Sequence, residues 1–174
     1  MRHLNLARSN FMTIPNNNNS RILLKRLKKT LSELGEAQAR LNKIVKIIAD
    51  SMNSEVCSIY LINRYNILEL YATEGLRSKA VHYSQLNVGQ GLVGKIAATA
   101  EPIKTSQASK TKGFRYLPET GEEIYNSFLG VPIQRLGKML GVLVIQNLKN
   151  REYTEDDIYG CLLYTSPSPR DRSL

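Results

Sequence analysis

The chain has 174 residues, enough for one domain of ordinary size with a helical extension, and its two cysteines exclude a disulfide framework or a cysteine-based zinc site. The net charge of +9 invites a nucleic-acid function, but residues 1–46 carry +8 of it and residues 47–160 are neutral, so the predicted folded body has no basic face. No apolar run approaches a membrane span or a secretory signal, and with so few cysteines we expect a reducing, cytoplasmic setting.

The N-terminal part divides into a polar segment and a helix. Residues 1–19 are Asn-rich and aperiodic, which predicts disorder. A helix is predicted from an N-cap at Ser20, with Gly35 breaking it into two. We expect residues 37–52 to pack on the domain and residues 21–34, a basic face lined by leucines, to form a dimer contact. The apolar residues of this segment follow a heptad pattern at Leu27, Leu31, Leu34, Leu41, Val45, Ile48 and Met52.

The period then changes from helical to two, which predicts antiparallel hairpins flanked by helices, an α+β fold. Pro132 lacks a backbone N–H, so its strand should lie at an edge or carry a bulge there. The predicted elements are a strand over 56–62, a strand over 67–72, a short helix over 91–100, a loop with helical turns over 104–126, and strands over 128–135 and 139–147.

The C-terminal part starts as a helix and then loses the helical pattern. Thr154 is a predicted N-cap with acidic residues behind it. From Cys161 the chain reads C-L-L-Y-T-S-P-S-P-R-D, in which two Ser-Pro steps cannot continue a helix. This string resembles a translated sequencing adapter, so we expect residues 161–174 to be a non-native tail and the closing helix to be truncated near Tyr159.

A glycine-rich stretch over 89–95 matches G-x-G-x-x-G and nearly matches a phosphate-binding loop. The phosphate-loop interpretation fails because Ile96 replaces the hydroxyl residue that would hold Mg²⁺. The dinucleotide interpretation fails because no buried parallel strand precedes the glycines. We therefore expect Gly89 and Gly91 to form a turn with unusual φ, and Gly94 to allow the helix to pack closely on the sheet.

The remaining candidate residues have structural explanations that we prefer to catalytic ones. Cys57 shares a strand face with apolar residues, so it is predicted to be a small buried hydrophobe and not a reactive thiol. His82 is predicted to be a surface or structural histidine. Glu119, Glu122 and Glu123 could form a metal or acid/base cluster, but solvated acids on a helical turn are the preferred interpretation. We assign no catalytic and no metal-binding residue.

Several sequence blocks together carry a family resemblance that covers about residues 21–158. They are A-Q-A-R-L-N-K-I-V at 37–45, E-V-C-S-I-Y-L at 55–61, L-E-L-Y-A-T-E-G-L at 68–76, V-G-Q-G-L-V-G-K-I-A at 88–97, P-E-T-G-E-E-I-Y-N-S-F-L-G-V-P-I at 118–133 and L-G-V-L-V-I-Q-N at 140–147. In order and wording they resemble the GAF domain family and, within it, the sensors of nitrogen-type phosphoenolpyruvate–protein phosphotransferases. The resemblance implies a six-stranded antiparallel sheet with helices on one face and a ligand pocket on the other, preceded by a coiled-coil-like helix. The implied domains are a disordered segment at 1–19, a basic helix at 20–36, the GAF sensor at 37–160 and the tail at 161–174.

The resemblance also implies a function for the parent protein. Such enzymes transfer phosphate from phosphoenolpyruvate to a histidine and then to a small phosphocarrier protein, with Mg²⁺ and phosphoenolpyruvate in a separate barrel domain. Neither His3 nor His82 lies in a matching motif, so no catalytic role and no cofactor is carried over to this chain. The implied effectors are glutamine and 2-oxoglutarate, and we expect a homodimer.

Two other functions compete with ligand sensing. A GAF module could serve only as a dimerisation and signalling element without a ligand. A methionine-sulfoxide reductase needs several cysteines, whereas the domain offers one. The polar residues on otherwise apolar strands, facing the 104–126 segment, are the predicted ligand contacts: Tyr71, Thr73, Tyr116, Thr120, Tyr125, Ser127 and Gln146.

Overall fold

The computed structural model describes residues 17–165, apart from the side chains of residues 17–20 and 23, and it divides the chain into two units, 1–37 and 38–174. Helix α1 spans Asn17–Ser51 without a break. The predicted N-cap at Ser20, disorder at 17–19 and break at Gly35 are therefore wrong. A glycine inside a helix costs about 1 kcal/mol relative to alanine but keeps its backbone hydrogen bonds, so it does not by itself end a helix. The predictions for residues 1–16, His3 among them, lie outside the described part.

The second unit is built on a six-stranded antiparallel sheet with the order β3-β2-β1-β6-β5-β4. Both hairpins predicted from the sequence are present, as β1–β2 and β5–β6. The α+β class with a GAF-like sheet is confirmed. The strands are β1 Val56–Ile62, β2 Ile67–Glu74, β3 Gln85–Asn87, β4 Ile103–Thr105, β5 Ser127–Arg135 and β6 Lys138–Asn147.

Pro132 lies where the sheet can accept a residue without an N–H. Strand β4 pairs with β5 only as far as Gly130, so β5 is locally an edge strand at Pro132. A register irregularity follows between Ile133 and Gln134. The expected edge position is confirmed, because no neighbouring strand needs a hydrogen bond from this residue.

The two faces of the sheet carry separate hydrophobic cores. On one face, Val45 and Ile48 of α1 pack against the strands together with helix α3, Glu155–Thr165, as predicted for residues 37–52. On the other face lie helix α2, Gly91–Thr99, and the segment over 106–126 with its short 3-10 turns. The helices are thus not confined to one face, as the resemblance implied, because α2 covers the pocket side.

Helix α3 closes the first of these cores and extends further than the sequence predicted. It begins after Thr154, whose side chain accepts the Asp157 N–H at 3.2 Å, as expected for an N-cap. It continues through Cys161, which is 1% exposed in the core, to Thr165. The helix therefore does not end at Tyr159, while the non-native origin of residues 161–174 stays a prediction. Burial of the Cys161 side chain stabilises this last part of the helix. The first Ser-Pro step follows Thr165 and lies outside the described residues.

A hydrogen-bonded cluster joins α1 to the edge of β2. The Gln38 amide nitrogen donates to the Tyr71 carbonyl at 2.7 Å and to the Asn42 side-chain oxygen at 2.9 Å. Because the Gln38 nitrogen makes these two bonds, the Gln38 oxygen faces His82 Nε2, at 2.8 Å. The other ring nitrogen of His82, Nδ1, lies 2.9 Å from a Glu69 carboxylate oxygen. Both ring nitrogens thus have a side-chain partner, one on α1 and one on β2.

We expect the His82–Gln38 pair to contribute to stability as one coupled unit. His82 has a φ of +63°, so His82→Asn preserves a residue that tolerates this conformation, and Gln38→Met preserves helix propensity. Each variant should lower the free energy of unfolding by roughly 0.5–1 kcal/mol, because the cluster is partly exposed to solvent. Urea unfolding of the double variant should show a loss clearly smaller than the sum of the two single losses. Additive losses would mean that the two side chains act independently.

Candidate functional site

The glycine-rich stretch forms the turn into α2 and offers no phosphate site. Gly89 and Gly91 have φ values of +90° and +67°, as predicted. Two backbone amides of this stretch are used internally: Gly89 N–H donates to the Gly94 carbonyl at 2.7 Å, and Gly94 N–H to the Gln90 carbonyl at 3.0 Å. Nucleotide binding through this motif is therefore not supported.

Gly94 brings α2 close to the backbone that precedes it. A Cβ atom at this position would lie 2.5 Å from the Asn87 carbonyl oxygen and 3.1 Å from the Gly89 nitrogen. The close packing predicted for Gly94 is confirmed, although its partner is the end of β3 and the turn, and not the middle of the sheet. This approach fixes the position of the first turn of α2.

A cavity lies between the pocket face of the sheet, the first turn of α2 and the 106–126 segment. Its volume is about 20 Å³, room for about one water molecule, whereas small-molecule pockets usually measure roughly 300–1,000 Å³. A ligand of amino-acid size can therefore enter only if the covering segment moves. The lining residues are Tyr60, Leu86, Gly91, Leu92, Val93, Phe114, Arg115, Leu117, Glu122 and Phe128.

Glu122 is the acidic group of this cavity. Its carboxylate accepts the Leu117 N–H at 3.0 Å and a hydrogen bond from the buried Gln146 side chain. Burial is the main cause that raises the pKa of Glu122 to about 7 from an ordinary 4.5, and the negative charges of Glu119 and Glu123 add to it. The interpretation of this residue as a solvated acid is therefore wrong.

Tyr60 and Gln146 add polar groups to an otherwise apolar sheet face. They are 2% and 1% exposed, respectively. Burial raises the pKa of Tyr60, and the nearby charges of Glu122 and Glu119 raise it further. Among residues 17–165, no group hydrogen-bonds the Tyr60 hydroxyl. The cavity therefore presents a phenol hydroxyl and a carboxyl to whatever enters it, and the buried amide of Gln146 is bonded to that carboxyl.

A tight turn before Glu122 holds its carboxyl in place. The fully buried Thr120 hydroxyl donates to the Leu117 carbonyl at 2.7 Å and accepts the Glu122 N–H at 3.2 Å. Glu119 accepts a hydrogen bond from Ser84 at 2.9 Å, which ties the same turn to the segment before β3. Thr120, predicted as a ligand contact, thus acts as a positioning residue in this structure.

The structure does not bring the seven predicted contacts together. Gln146 is bonded to Glu122 but does not line the cavity. Tyr71 is the extra residue of a β-bulge between Ala72 and Leu70, and it lies beside the His82 ring. The bulge rotates the strand, so residues on either side of it do not share a face. Thr73 is hydrogen-bonded to Ser58 at 2.8 Å.

The other three predicted contacts also have local partners. Ser127 faces the α3 side, where its hydroxyl donates to the Lys149 carbonyl at 3.0 Å. The Tyr125 hydroxyl donates to the Gly75 carbonyl at 3.2 Å, and Tyr116 is 41% exposed. Ligand contacts for these residues remain a prediction that no contact in the structure supports.

The sequence interpretation missed Tyr60 as a polar group of the cavity, and it missed that Glu122 is partly buried. Tyr60 lies within a strand of mostly apolar residues, so its sequence context did not mark it as a functional group. Glu122 was part of a run of acids, and only the apolar residues on either side of that run, Leu117 and Ile124, signal that the segment folds back on the domain.

Other titratable groups in the described part match structural roles. Cys57 is fully buried on one face with Ile59, as predicted, and burial raises the pKa of its thiol, which disfavours the reactive thiolate. His82 is held in the Gln38 cluster described above. Within residues 17–165, no group of three or more His, Cys, Asp or Glu side chains is arranged to hold a metal ion.

These features of fold and site agree with the family comparison. The six-stranded antiparallel sheet with helices packed on it is the fold of a regulatory or sensing module. The family model described as "GAF domain" matches residues 36–159. The chain belongs to the GAF domain family.

Within this family, the chain is homologous to the GAF domains of phosphoenolpyruvate–protein phosphotransferases. A phosphoenolpyruvate-dependent phosphotransferase system protein of Escherichia coli is 36% identical over 140 residues, which covers 78% of this chain and 19% of that protein. The GAF domain of a phosphoenolpyruvate-protein phosphotransferase from Coxiella burnetii is 33% identical with a TM-score of 0.68, over 81% of this chain and 87% of that one. The corresponding Acinetobacter domain is 35% identical with a TM-score of 0.68, over 83% and 89%. The chain thus spans about a fifth of the length of the curated relatives that it matches.

Proposed function

We propose that this chain is the small-molecule-sensing, regulatory GAF domain of a cytoplasmic phosphoenolpyruvate–protein phosphotransferase that acts in nitrogen regulation. The observation that supports sensing is the cavity on the pocket face, where Glu122 and Tyr60 present polar groups within a largely apolar surround. Small-molecule sites have this composition, a few placed polar groups in a largely apolar pocket. Homology to the GAF domains of phosphoenolpyruvate–protein phosphotransferases supports this class for the parent enzyme. The part of the chain that the structure describes contains no helix long and apolar enough to cross a membrane.

The phosphoryl transfer belongs, in this proposal, to the parent enzyme and not to the described residues. The parent would take phosphate from phosphoenolpyruvate, with Mg²⁺, and pass it to a small phosphocarrier protein. No residue of 17–165 is assigned to that chemistry. The GAF domain would regulate it by binding an effector, glutamine or 2-oxoglutarate, with different affinities in two states of the enzyme.

Effector binding requires the segment that covers the cavity to move, and this movement offers a route for regulation. Because the cavity holds about 20 Å³, the segment over 106–126 must move when a ligand enters. That segment is bonded to the loop before β3 through Ser84, and the same loop carries His82, which contacts α1 through Gln38. Displacement of the segment would therefore disturb groups that hold the leading helix.

Calorimetric titration of the chain with glutamine and with 2-oxoglutarate tests this proposal. We expect saturable heat with at least one of them. Gln146→Leu removes the buried amide that bonds Glu122 and should weaken binding by about tenfold or more. Gln134→Leu, at the exposed end of β5, is the matched control and should bind normally. Absence of binding by a folded protein would contradict the sensing function.

A dimerisation module without a ligand is the second candidate, and exposed leucines on α1 favour it. Leu24, Leu27, Leu31 and Leu34 are 51–66% exposed and follow the a and d positions of a heptad. Leu31→Lys should convert a dimer to a monomer in sedimentation experiments, whereas Lys29→Ala, away from the seam, should not. Leu31-dependent dimers together with no heat from either effector would favour this candidate over sensing.

A further inference from the structure

The loop between β6 and α3 carries one arginine that bonds both the end of α1 and the beginning of α3. We propose that Arg151 couples these two helix ends into one cooperative unit, so that opening of either end releases the other. Because α1 precedes the sheet in the chain and α3 follows it, such a joint passes a change in one helix to the other. This inference goes beyond the proposed sensing function and does not depend on a ligand.

Helix α1 ends in a motif that leaves two carbonyl groups to outside donors. The Asn53 N–H donates to the Asp50 carbonyl at 3.2 Å, and the Ser54 N–H donates to the Ala49 carbonyl at 2.9 Å. Asn53 has a φ of +50°, so the helix closes in a Schellman motif with Asn53 at its left-handed position. The motif itself bonds neither the Met52 carbonyl nor the Asn53 carbonyl, and both need another donor.

The Arg151 guanidinium supplies that donor and holds a second partner at the same time. Its Nη1 donates to the Met52 carbonyl at 2.8 Å and to the Asn53 carbonyl at 3.2 Å. Its Nη2 donates to the Asp157 carboxylate at 3.1 Å. The Arg151 and Asp157 side chains are only 28% and 19% exposed, so solvent screens this ion pair less than a surface pair. The rigid fork of a guanidinium can bond both partners at once, whereas a lysine ammonium is a single point charge.

Asp157, the anionic partner of Arg151, is also part of the cap of α3. The Thr154 N–H donates to Asp157 Oδ2 at 2.8 Å, and the Asp157 N–H donates to the Thr154 hydroxyl at 3.2 Å, which is a capping box. Asp157 Oδ1 accepts the bond from Arg151. One carboxylate thus joins the cap of α3 to the arginine that bonds the end of α1. If the first turn of α3 opens, Arg151 loses its anchor, and if α1 frays, the capping box loses its cation.

A buried ring and a buried amide hold Arg151 beside both helix ends. The guanidinium carbon lies 4.9 Å from the centroid of the Tyr153 ring, a side chain that is 4% exposed. The Tyr153 hydroxyl donates to the Asn147 side-chain oxygen at 2.8 Å, and the Asn147 amide nitrogen donates to the Asn53 carbonyl at 3.2 Å. The surroundings of Arg151 therefore fix its side chain in the bridging position.

Native-state hydrogen exchange of Thr154→Ala tests the coupling. The substitution removes the N-cap hydroxyl of α3, and it lies too far from Asn53 and Ser54 in the chain to alter the intrinsic exchange rates of their amides. Losing an N-cap should accelerate exchange of the Ile158 amide, which bonds the Thr154 carbonyl in α3, by a factor of about 2–30. If the two helix ends open together, the Asn53 and Ser54 amides should accelerate by the same factor. Unchanged exchange of those two amides would overturn the proposal.

Repeating the measurement in an Arg151→Lys background shows whether the arginine carries the coupling. Lysine keeps the charge but cannot bond both helix ends at once. In this background Thr154→Ala should accelerate the Ile158 amide and leave the Asn53 and Ser54 amides unchanged. An equal acceleration of all three amides would overturn the proposal, because the helix ends would then be coupled through the packed core or would exchange only by global unfolding.

Two further backgrounds complete the test. Asp157→Asn removes the ion pair with Arg151 but keeps an oxygen for the Thr154 N–H, so it should uncouple the helix ends as Arg151→Lys does, and it replaces that variant if the latter does not fold. Lys104→Ala is the matched control, because Lys104 donates to Glu155 in the first turn of α3 at 2.9 Å. Coupling should persist in this background. Its loss there would show that any cation near α3 serves, and would overturn the assignment to Arg151.

Discussion

The Glu122→Gln variant is expected to be more stable than the unsubstituted chain at pH 8 and to have nearly the same stability at pH 4.5. The reason is that burial raises the pKa of Glu122 to about 7 from an ordinary 4.5. The folded state must therefore hold a carboxylate in a poorly solvated site once the pH is high enough, whereas a neutral amide of the same shape carries no such cost.

The sign of the effect follows from proton binding in the two states. Below pH 4.5 the carboxyl is protonated in both the folded and the unfolded chain, and its favourable contribution is fully present. Between pH 4.5 and about 7 only the unfolded chain loses the proton, so the free energy of unfolding falls as the pH rises. Above about pH 7 the loss is complete, and it amounts to about 3 kcal/mol at most.

Urea unfolding at pH 4.5, 6, 7 and 8 measures this profile. The stability difference between Glu122→Gln and the unsubstituted chain should grow over the lower part of that range and level off above about pH 7. Glu123→Gln removes an equal charge at an exposed position on the same turn and controls for net charge. A constant difference across the range would show that the Glu122 carboxyl is solvated in the folded state.

Replacing Gly94 with alanine is expected to destabilise the domain by about 2–4 kcal/mol. The new Cβ would lie 2.5 Å from the Asn87 carbonyl oxygen, a backbone atom that cannot rotate away. Either α2 shifts or the end of β3 moves, and both changes disturb the first turn that lines the cavity. Thermal unfolding of the variant should show a lower midpoint by several degrees.

Gly35→Ala is the matched control for this prediction. Gly35 lies inside α1 with nothing within 4 Å of an added Cβ, so the same substitution meets no obstacle there. It should stabilise the helix by up to about 1 kcal/mol. A neutral effect of Gly94→Ala would mean that the glycine is not needed for close approach, and the motif would have to be explained differently.

The sequence determined the elements and most of the sheet. Period-two patterns predicted the β1–β2 and β5–β6 hairpins because a strand half-buried between two faces must alternate its side chains. The glycines of the turn before α2 were readable because only certain residues accept positive φ and close backbone approach. The burial of Cys57 was predictable in the same way, because it shares a strand face with apolar residues.

The sequence was less informative about where helices end. Gly35 is a real local signal, but its effect depends on what the rest of the helix gains. Burial of Cys161 carried α3 past the predicted end, and intact backbone hydrogen bonds carried α1 through Gly35. Local propensities of about 1 kcal/mol per residue are easily outweighed by such burial.

Only the tertiary structure decided which polar side chains meet. A one-residue bulge at Tyr71 reverses the faces of β2, so that Leu68 and Leu70 lie on the pocket side and Ala72 on the helix side. The fold of the 106–126 segment turns Glu122 inward, although its neighbour Glu123 stays exposed. Composition and periodicity cannot reveal either event, because a bulge and an inward turn are set by packing between segments distant in the chain. The sensing fold could therefore be read from the sequence, whereas the chemistry of its cavity required the structure.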